Sequence, residues 1–178
     1  MPEEILENPV TGETMRIIES TPQTFTIEYA LRAHGEIALE HFHPGIEQEI
    51  SVRSGEMHVT VDGVHKVIRA GESYTAPPSA PHFQWNPCDT ETIAVETYRP
   101  AGRNHDFFRT LFGLARDGHT DAHGMPSVLM RAAIFTEFKD TIRPAKAGAR
   151  LFISVLVPIS WALGYRSRIK KYAGRRAA

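Results

Sequence analysis

The 178-residue sequence lacks several features that mark common classes of protein. Its single cysteine, Cys88, excludes an internal disulfide framework and is typical of a reducing compartment. It has no glycine-rich phosphate loop and no serine-histidine-aspartate signature of a hydrolase. The first four residues, Met-Pro-Glu-Glu, are acidic and precede no long apolar segment. We therefore expect no secretory signal and a cytoplasmic location.

Acidic residues are absent from residues 144–178, which carry eight Lys and Arg residues. Residues 1–143 instead carry 12 basic and 21 acidic residues, a net charge of −9. Two interpretations of this asymmetry remain open. The basic tail lies on the acidic body or on a neighbouring subunit, which we favour, or it contacts an anionic partner such as a membrane surface.

The longest apolar run, Leu151–Leu163, is too short to span a bilayer, because spanning takes about 20 residues. Pro158 lies within it, and we expect it to kink or divide the helix. An apolar run beside a basic tail also suits a helix lying in a membrane interface. We favour burial against the rest of the chain or at a subunit interface, since such apolar surface has to be covered.

Short alternating segments separated by turn residues occupy residues 8–100. Asp62-Gly63 is a strong hairpin signal, because a type I′ turn needs positive φ at both central residues. About eight such strands predict an all-β sandwich or barrel. The segments read as strands include Thr24–Leu31, Ile50–Ser54, Met57–Val61, Val64–Arg69 and Thr90–Tyr98.

Helical patterns begin after Pro100. Asn104 is a candidate N-cap for a helix that ends near Gly118. A second helix is expected from Pro126 at its first position to about Arg143. A third is expected from near residue 145 to Gly164, followed by a basic tail over 166–178.

Three histidines at strand spacing indicate a metal site. His41 and His43 are two residues apart, so on a strand both side chains point to the same face. His82 can join them from another strand. Neutral imidazole is a good ligand for Zn, Cu, Fe and Ni.

The glycines, prolines and histidines around this cluster resemble the two motifs of the cupins. The resemblance implies an all-β jelly-roll barrel over residues 1–100, with a metal or small molecule at its mouth. Residues 101–178 would form a C-terminal α-helical extension, similar to that of a bacterial cupin subgroup, that packs on the barrel or at a subunit interface. The matching positions are Gly35, His41, His43, Gln48 and Gly55 in the first motif, and Gly71, Pro77, His82 and Asn86 in the second.

The resemblance implies that His41, His43 and His82 are metal ligands, whereas Asn86 is structural. Gln48 stands where the family normally has a glutamate. Glu47 and Glu49 flank it, but strand alternation sends them to the opposite face unless a bulge turns one inward. We therefore predict a metal site formed by the three histidines and Gln48.

An amide oxygen at Gln48 leaves the charge of a divalent ion uncompensated. This weakens metal retention and favours an anionic, chelating substrate. Some cupin dioxygenases work with three histidines and no carboxylate. We therefore expect a divalent ion, with Fe(II) ahead of Mn, Ni and Zn. The reaction would be that of a dioxygenase or an isomerase acting on a small oxygen-bearing molecule.

Three further residues are candidates for the pocket. Gln84 shares strand parity with His82, and Glu96 and Tyr98 lie on the last strand. The competing hypothesis is a metal-free protein that binds or senses a small molecule without catalysis, which the loss of the acidic ligand favours. We expect a homodimer, and no nucleic-acid partner because the helices show no helix-turn-helix pattern.

Overall fold

The computed structural model describes residues 4–174. Ten strands precede the first helix, two more than the sequence predicted, because β1 starts before residue 8 and the segments near Pro77 and His82 form separate short strands. The strands are β1 (Glu4–Glu7), β2 (Thr14–Ser20), β3 (Phe25–Leu31), β4 (Glu36–Phe42), β5 (Glu47–Ser54), β6 (Glu56–Val61), β7 (Val64–Arg69), β8 (Ser73–Ala76), β9 (His82–Trp85) and β10 (Thr92–Arg99).

The strands form two antiparallel sheets that face each other. The six-stranded sheet has the order β1-β2-β3-β10-β5-β8. The five-stranded sheet has the order β11-β4-β9-β6-β7, where β11 is the short strand Arg143–Pro144. Apolar side chains that alternate along the strands meet between the sheets and form one buried core. The largest fully buried members are Phe25, Ile27, Ile50, Val52 and Met57.

Glycine is required at two of the turns. Asp62 and Gly63 both have positive φ, at 49° and 76°, which confirms the predicted hairpin between β6 and β7. Gly55 has φ of 82°, and a Cβ there would lie 2.8 Å from Thr92 Oγ1. A side chain at this position of the first motif would be strained by the positive φ and would collide with Thr92, so only glycine fits.

The C-terminal part is helical, as predicted. Its elements are α1 (Asn104–Arg116), α2 (Val128–Glu137), α3 (Ala147–Ala162) and α4 (Tyr165–Lys170). Their apolar faces enclose a second buried cluster, which includes Phe107, Leu114, Ile134, Phe138 and Ile169. Asn104 is the first residue of α1 rather than its cap, and its Nδ2 donates to the Ala101 carbonyl at 3.0 Å.

Helix α2 differs from the prediction at both ends. It begins at Val128 because the Ser127 Oγ caps it by accepting the Met130 N–H, which leaves Pro126 outside. It ends at Glu137, before the predicted Arg143. Arg143 precedes a proline, which disfavours the helical conformation, and Arg143–Pro144 pairs instead with β4.

Helix α3 continues through Pro158, so of the two predicted outcomes, a kink or a division, the division does not occur. The proline deprives the Ser154 carbonyl of its helical partner, and this is tolerated because Ser154 is exposed to water. Gly164, with φ of 76°, ends the helix as predicted. Part of the expected basic tail is helix α4, while residues 175–178 lie outside the described residues.

The extension joins the five-stranded sheet through β11, whose Pro144 lies opposite His41. Helix α1 contacts β1, where the Arg109 guanidinium binds the Glu4 carboxylate at 2.7 Å. Between residues 4 and 174, no helix combines the length and apolar character needed to cross a bilayer.

Candidate metal centre and cavity

The structure brings the three motif histidines together at one end of the space between the sheets. One ring nitrogen from each of His41, His43 and His82 lies within 4.8 Å of the other two. His41 and His82 are direct partners in the β4–β9 ladder, and His43 follows β4 by one residue. The ring centroids of His41 and His82 are 4.4 Å apart, and both are 5 Å or slightly more from that of His43. Among the described residues, this is the one such cluster of candidate metal ligands.

Each histidine is oriented by a hydrogen bond from its Nδ1 to a backbone carbonyl. His41 and His82 bond to carbonyls two residues earlier, Leu39 and Ala80, both at 2.9 Å. His43 bonds at 2.7 Å to the carbonyl of Thr141, in the extension. A carbonyl only accepts, so each Nδ1 carries the proton and each Nε2 presents a lone pair.

Two of these Nε2 atoms, in His43 and His82, are buried without a hydrogen-bond partner. Burial lowers the pKa of His41 well below its usual value, and the neighbouring His82 and His43 lower it further. Burial followed by repulsion from His82 lowers the pKa of His43 to about 4. Burial also lowers the pKa of His82. All three rings are therefore neutral at neutral pH, the state in which imidazole binds a metal.

Gln48 lies beside this cluster, on β5 of the opposite sheet. Its side chain is 2% exposed, and its Nε2 donates to the Tyr98 hydroxyl at 3.4 Å. Its Oε1 is buried and has no partner. Glu47 and Glu49 lie on the other face of β5, where Arg99 contacts both carboxylates. Gln48 therefore points inward, as expected from strand alternation.

Glu96 supplies a buried carboxylate close to the histidines. It is 2% exposed and accepts hydrogen bonds from the hydroxyls of Tyr29, at 2.6 Å, and Tyr98. It also accepts from Gln84 Nε2. Within residues 4–174 it has no cationic partner, which is costly for a buried charge. Burial first, and then the Glu96 charge, raise the pKa of both tyrosines well above the usual value, so they remain protonated donors.

A cavity of about 100 Å³ adjoins the histidines and is walled largely by apolar side chains. Besides the predicted candidates, four residues of the strand region line the cavity: Met15, Ile27, Tyr29 and Leu39. Six residues of the extension also line it: Asn104, Phe107, Phe108, Leu111, Phe135 and Ile142. The candidates Gln84, Glu96 and Tyr98 all line this cavity. Tyr29, which the sequence did not identify as a pocket residue, lines it too while belonging to the buried core. The register was the missing signal, because Tyr29 pairs with Ala94, diagonal to Glu96.

Asn86 has the structural position expected for it. Its Nδ2 donates to the carbonyls of Leu31, Arg32 and Thr90, and its Oδ1 accepts the N–H of Cys88. His105, which matches no motif position, is half-buried between Ser20 and Glu4. Its Nδ1 lies 2.8 Å from the Ser20 Oγ, and its Nε2 lies 2.9 Å from a carboxylate oxygen of Glu4.

Comparison with known proteins supports the same class of fold and site. The family model described as "Cupin domain" matches residues 29–98, which include all three histidines. An RmlC-like cupin from Shewanella frigidimarina has 30% identity and a TM-score of 0.50, over 58% of this chain and 89% of that one. KdgF from Halomonas sp. has 16% identity and a TM-score of 0.50, over 59% and 91% of the two chains, a likeness of fold alone. No curated protein matches the sequence.

The chain belongs to the cupin superfamily. Its two antiparallel sheets and C-terminal helices are the architecture that the motifs predicted. Its three neighbouring histidines are able to hold a metal ion.

Proposed function

We propose that His41, His43 and His82 bind a divalent metal through Nε2, with Gln48 Oε1 as a fourth ligand, and that the loaded protein is an enzyme. The observation that carries the proposal is the pairing of every Nδ1 with a carbonyl, which leaves the Nε2 lone pairs of His43 and His82 buried and unpartnered. A bound cation removes the cost of burying these acceptors.

Glu96 provides the negative charge that the ligand set lacks. A carboxylate at the usual position of the family would carry that charge itself, whereas here Gln48 is neutral. Glu96 is linked to it by two hydrogen bonds through the Tyr98 hydroxyl. A divalent ion and a buried carboxylate stabilise each other across this short distance. The attraction between Glu96 and the ion therefore offsets the weak metal retention expected with Gln48 as the fourth ligand.

The cavity favours a small substrate with an apolar body and oxygen atoms at one end. Its volume of about 100 Å³ is somewhat below the ~150 Å³ of a cavity that accepts benzene. Besides the proposed ligand Gln48 Oε1, two residues that line it carry an unpartnered oxygen: Gln84 Oε1 and Asn104 Oδ1. These acceptors suit a hydroxyl donor on the substrate, and the metal suits a carbonyl, enolate or carboxylate oxygen.

The site has the groups that enolisation or oxygenation of such a molecule requires. A metal here would polarise a substrate oxygen and, if it is iron, activate molecular oxygen as the oxidant, so Fe(II) is our first choice ahead of Mn, Ni and Zn. Glu96 is placed to accept a proton from the substrate, and Tyr98 and Tyr29 hold its carboxylate in position. The apolar walls exclude water from the reacting atoms.

A second candidate function is metal-free binding or sensing of a small molecule. The observation that favours it is Gln48, because a neutral amide holds a metal less strongly than a carboxylate does. The histidine nitrogens and amide oxygens would then accept hydrogen bonds from the ligand directly.

Metal content separates the two functions. We would measure it by elemental analysis after purification without added metal, and again after reconstitution with Fe(II), Mn(II), Ni(II) or Zn(II). We expect near-stoichiometric metal in the wild type and none in His82→Ala. His34→Ala is the control, because His34 is exposed and its ring pairs with Asp89 rather than with the cluster. Absence of metal under every condition would overturn the enzyme proposal and favour the binding-protein alternative.

The Glu96→Gln variant tests the role of the buried carboxylate. We expect it to bind metal at least tenfold more weakly, since removing one charge of a buried pair costs a few kcal/mol. Unfolding of the metal-free variant serves as the structural check, and it should be no less cooperative than that of the wild type. Equal metal affinity in the two proteins would remove Glu96 from the proposal.

A further inference from the structure

Helix α3 is apolar on all sides, yet only one side is covered within residues 4–174. That side packs on α2, where Ser160 is buried and its Oγ donates to the Leu129 carbonyl at 2.9 Å. The remaining surface carries six large apolar side chains that are 44–68% exposed. They are Leu151, Phe152, Val155, Ile159, Trp161 and Leu163. Since a helix facing water ordinarily carries polar residues there, this surface requires a partner.

We call these six residues the α3 face, and all of them except Trp161 lie along one side of the helix. Leu151, Val155, Ile159 and Leu163 are spaced by four residues and so lie in a row along the helix. The row from Leu151 to Leu163 is about 18 Å long, at 1.5 Å per residue. The Ser154 hydroxyl donates to the Arg150 carbonyl at 3.0 Å. The face is therefore long and apolar.

Basic side chains lie at both ends of the α3 face. Lys146 and Arg150 are at its start, and Arg166, Arg168 and Lys170 follow its end, whereas no acidic residue occurs after Asp140. Lys146 and Lys170 have no ion pair within the described part of the chain. Arg166 is half exposed, although its guanidinium lies 3.4 Å from Glu137. A partner of this surface is thus apolar in its centre and anionic around it.

We propose that the α3 face docks on an anionic lipid bilayer, with the helix lying in the interface between headgroups and acyl chains. Apolar side chains would enter the acyl region while the flanking lysines and arginines bind the headgroups. Trp161, with the Arg166 guanidinium 5.0 Å from its ring, has the amphipathic character of residues at this depth. The proposal concerns attachment and is independent of the metal site.

A second copy of the chain fits the α3 face less well. Most homodimer interfaces are two-fold symmetric, so the same patch meets itself. The basic ends of one α3 would then lie against the basic ends of the other, with no acidic residue after Asp140 to separate them. Like charges in such a contact repel. An anionic lipid bilayer is complementary both to the apolar stripe and to the cationic residues at its ends.

Vesicle flotation tests the proposal with the full-length protein. We would compare vesicles of phosphatidylcholine alone with vesicles containing phosphatidylglycerol as well, at low and high salt. The wild type should float with the anionic vesicles at low salt, and less with neutral vesicles or at high salt. Val155→Glu combined with Ile159→Glu should lower partitioning by roughly tenfold or more, because two apolar contacts become charges. Lys146→Glu with Lys170→Glu should weaken binding to anionic vesicles only.

The matched control replaces two equally exposed apolar residues elsewhere. Val64→Glu with Ile18→Glu changes side chains that are 55% and 50% exposed on the strands, and it should bind vesicles as the wild type does. Thermal unfolding verifies that each variant is folded. Failure of the folded wild type to bind anionic vesicles at low salt overturns the proposal. A loss of self-association in the Val155 and Ile159 variant, without vesicle binding by the wild type, also overturns it and assigns the face to a second copy.

Discussion

At the scale of single residues, Gln48 is the position at which the site differs from the usual ligand pattern of its family. Its amide oxygen lies among three neutral imidazoles, while the compensating charge, Glu96, is displaced by one hydrogen-bonded tyrosine. A charge held apart from the ligands would leave a bound metal more electrophilic than direct carboxylate binding does. In the proposed site, the protein would give up some affinity for the ion and gain Lewis acidity toward a substrate.

Replacing Gln48 by glutamate tests this balance. We expect Gln48→Glu to bind the divalent ion at least tenfold more tightly, because a carboxylate replaces an amide in the ligand set. The metal-free variant should unfold at a lower temperature, since two buried carboxylates would then share the Tyr98 hydroxyl. Isothermal titration with metal and thermal unfolding without it give the two readouts.

Equal metal affinity in wild type and Gln48→Glu would place the Gln48 oxygen outside the ligand set. Gln23→Glu is a matched control, since Gln23 is exposed in the turn before β3 and the substitution adds the same charge. It should change neither the metal affinity nor the unfolding temperature.

The histidine cluster is the part of the site that sequence predicts best. Strand parity places His41 and His43 together, and the motif spacing brings His82 beside them. The Thr141 carbonyl that orients His43 was beyond prediction, because a backbone acceptor 98 residues away leaves no side-chain pattern. The contact of Tyr29 with Glu96 was not predicted, because it depends on the register between β3 and β10.

At the scale of elements, helix α2 connects the stability of the extension with the cavity. Its buried residues include Met130 and Ile134, and its Phe135 forms part of the cavity wall. The sequence predicted the helix but misjudged its ends, because both depend on a competition between local bonds. Capping by Ser127 makes α2 begin after Pro126. At the other end, Arg143–Pro144 pairs with β4 and is therefore not part of the helix.

The Ser127→Ala substitution measures the cap of α2. It removes the oxygen that accepts the Met130 N–H, and the expected loss is about 1 kcal/mol of unfolding free energy. Chemical denaturation gives this value directly. Ser154→Ala is the control in an exposed helical position, and should change the free energy of unfolding by less than about 0.5 kcal/mol. Equal effects of the two substitutions would contradict the cap.

At the scale of the whole molecule, the two cores and the cavity belong to one folded unit. Phe108 packs against the core of the sheets and also against that of the helices. The division of the chain at residue 100 was predicted from a change of periodicity, and strands indeed give way to helices there. Periodicity alone does not reveal that Phe107, Leu111 and Ile142 of the extension wall a cavity between the sheets.

The stability of the metal-free protein should fall as the pH drops from about 6.5 to about 4. The folded state holds His43 with a pKa near 4, whereas the unfolded chain takes up its proton near 6.5. The unfolded state therefore binds more protons in this window, and acid favours it. His43 alone should contribute about 3 kcal/mol, at ~1.4 kcal/mol per pKa unit. His41 and His82 act in the same direction.

Denaturant titrations at a series of pH values measure this dependence. The His43→Gln variant should show a shallower decline between pH 6.5 and 4 than the wild type, whatever its stability at neutral pH. Parallel curves for the two proteins would show that His43 does not contribute.

The hydrogen bond between His43 and Thr141 has a consequence for the order of assembly during synthesis. The ribosome makes all of the candidate ligands within residues 41–82, long before the carbonyl that orients His43 emerges. β11, which lies opposite His41, is made only after that carbonyl. A nascent chain that ends before Thr141 therefore presents histidines without the carbonyl that orients His43 and without the pairing of β11 with β4. We expect metal loading to follow synthesis of the segment that contains Thr141 and β11, so that this segment acts as the checkpoint for a finished site.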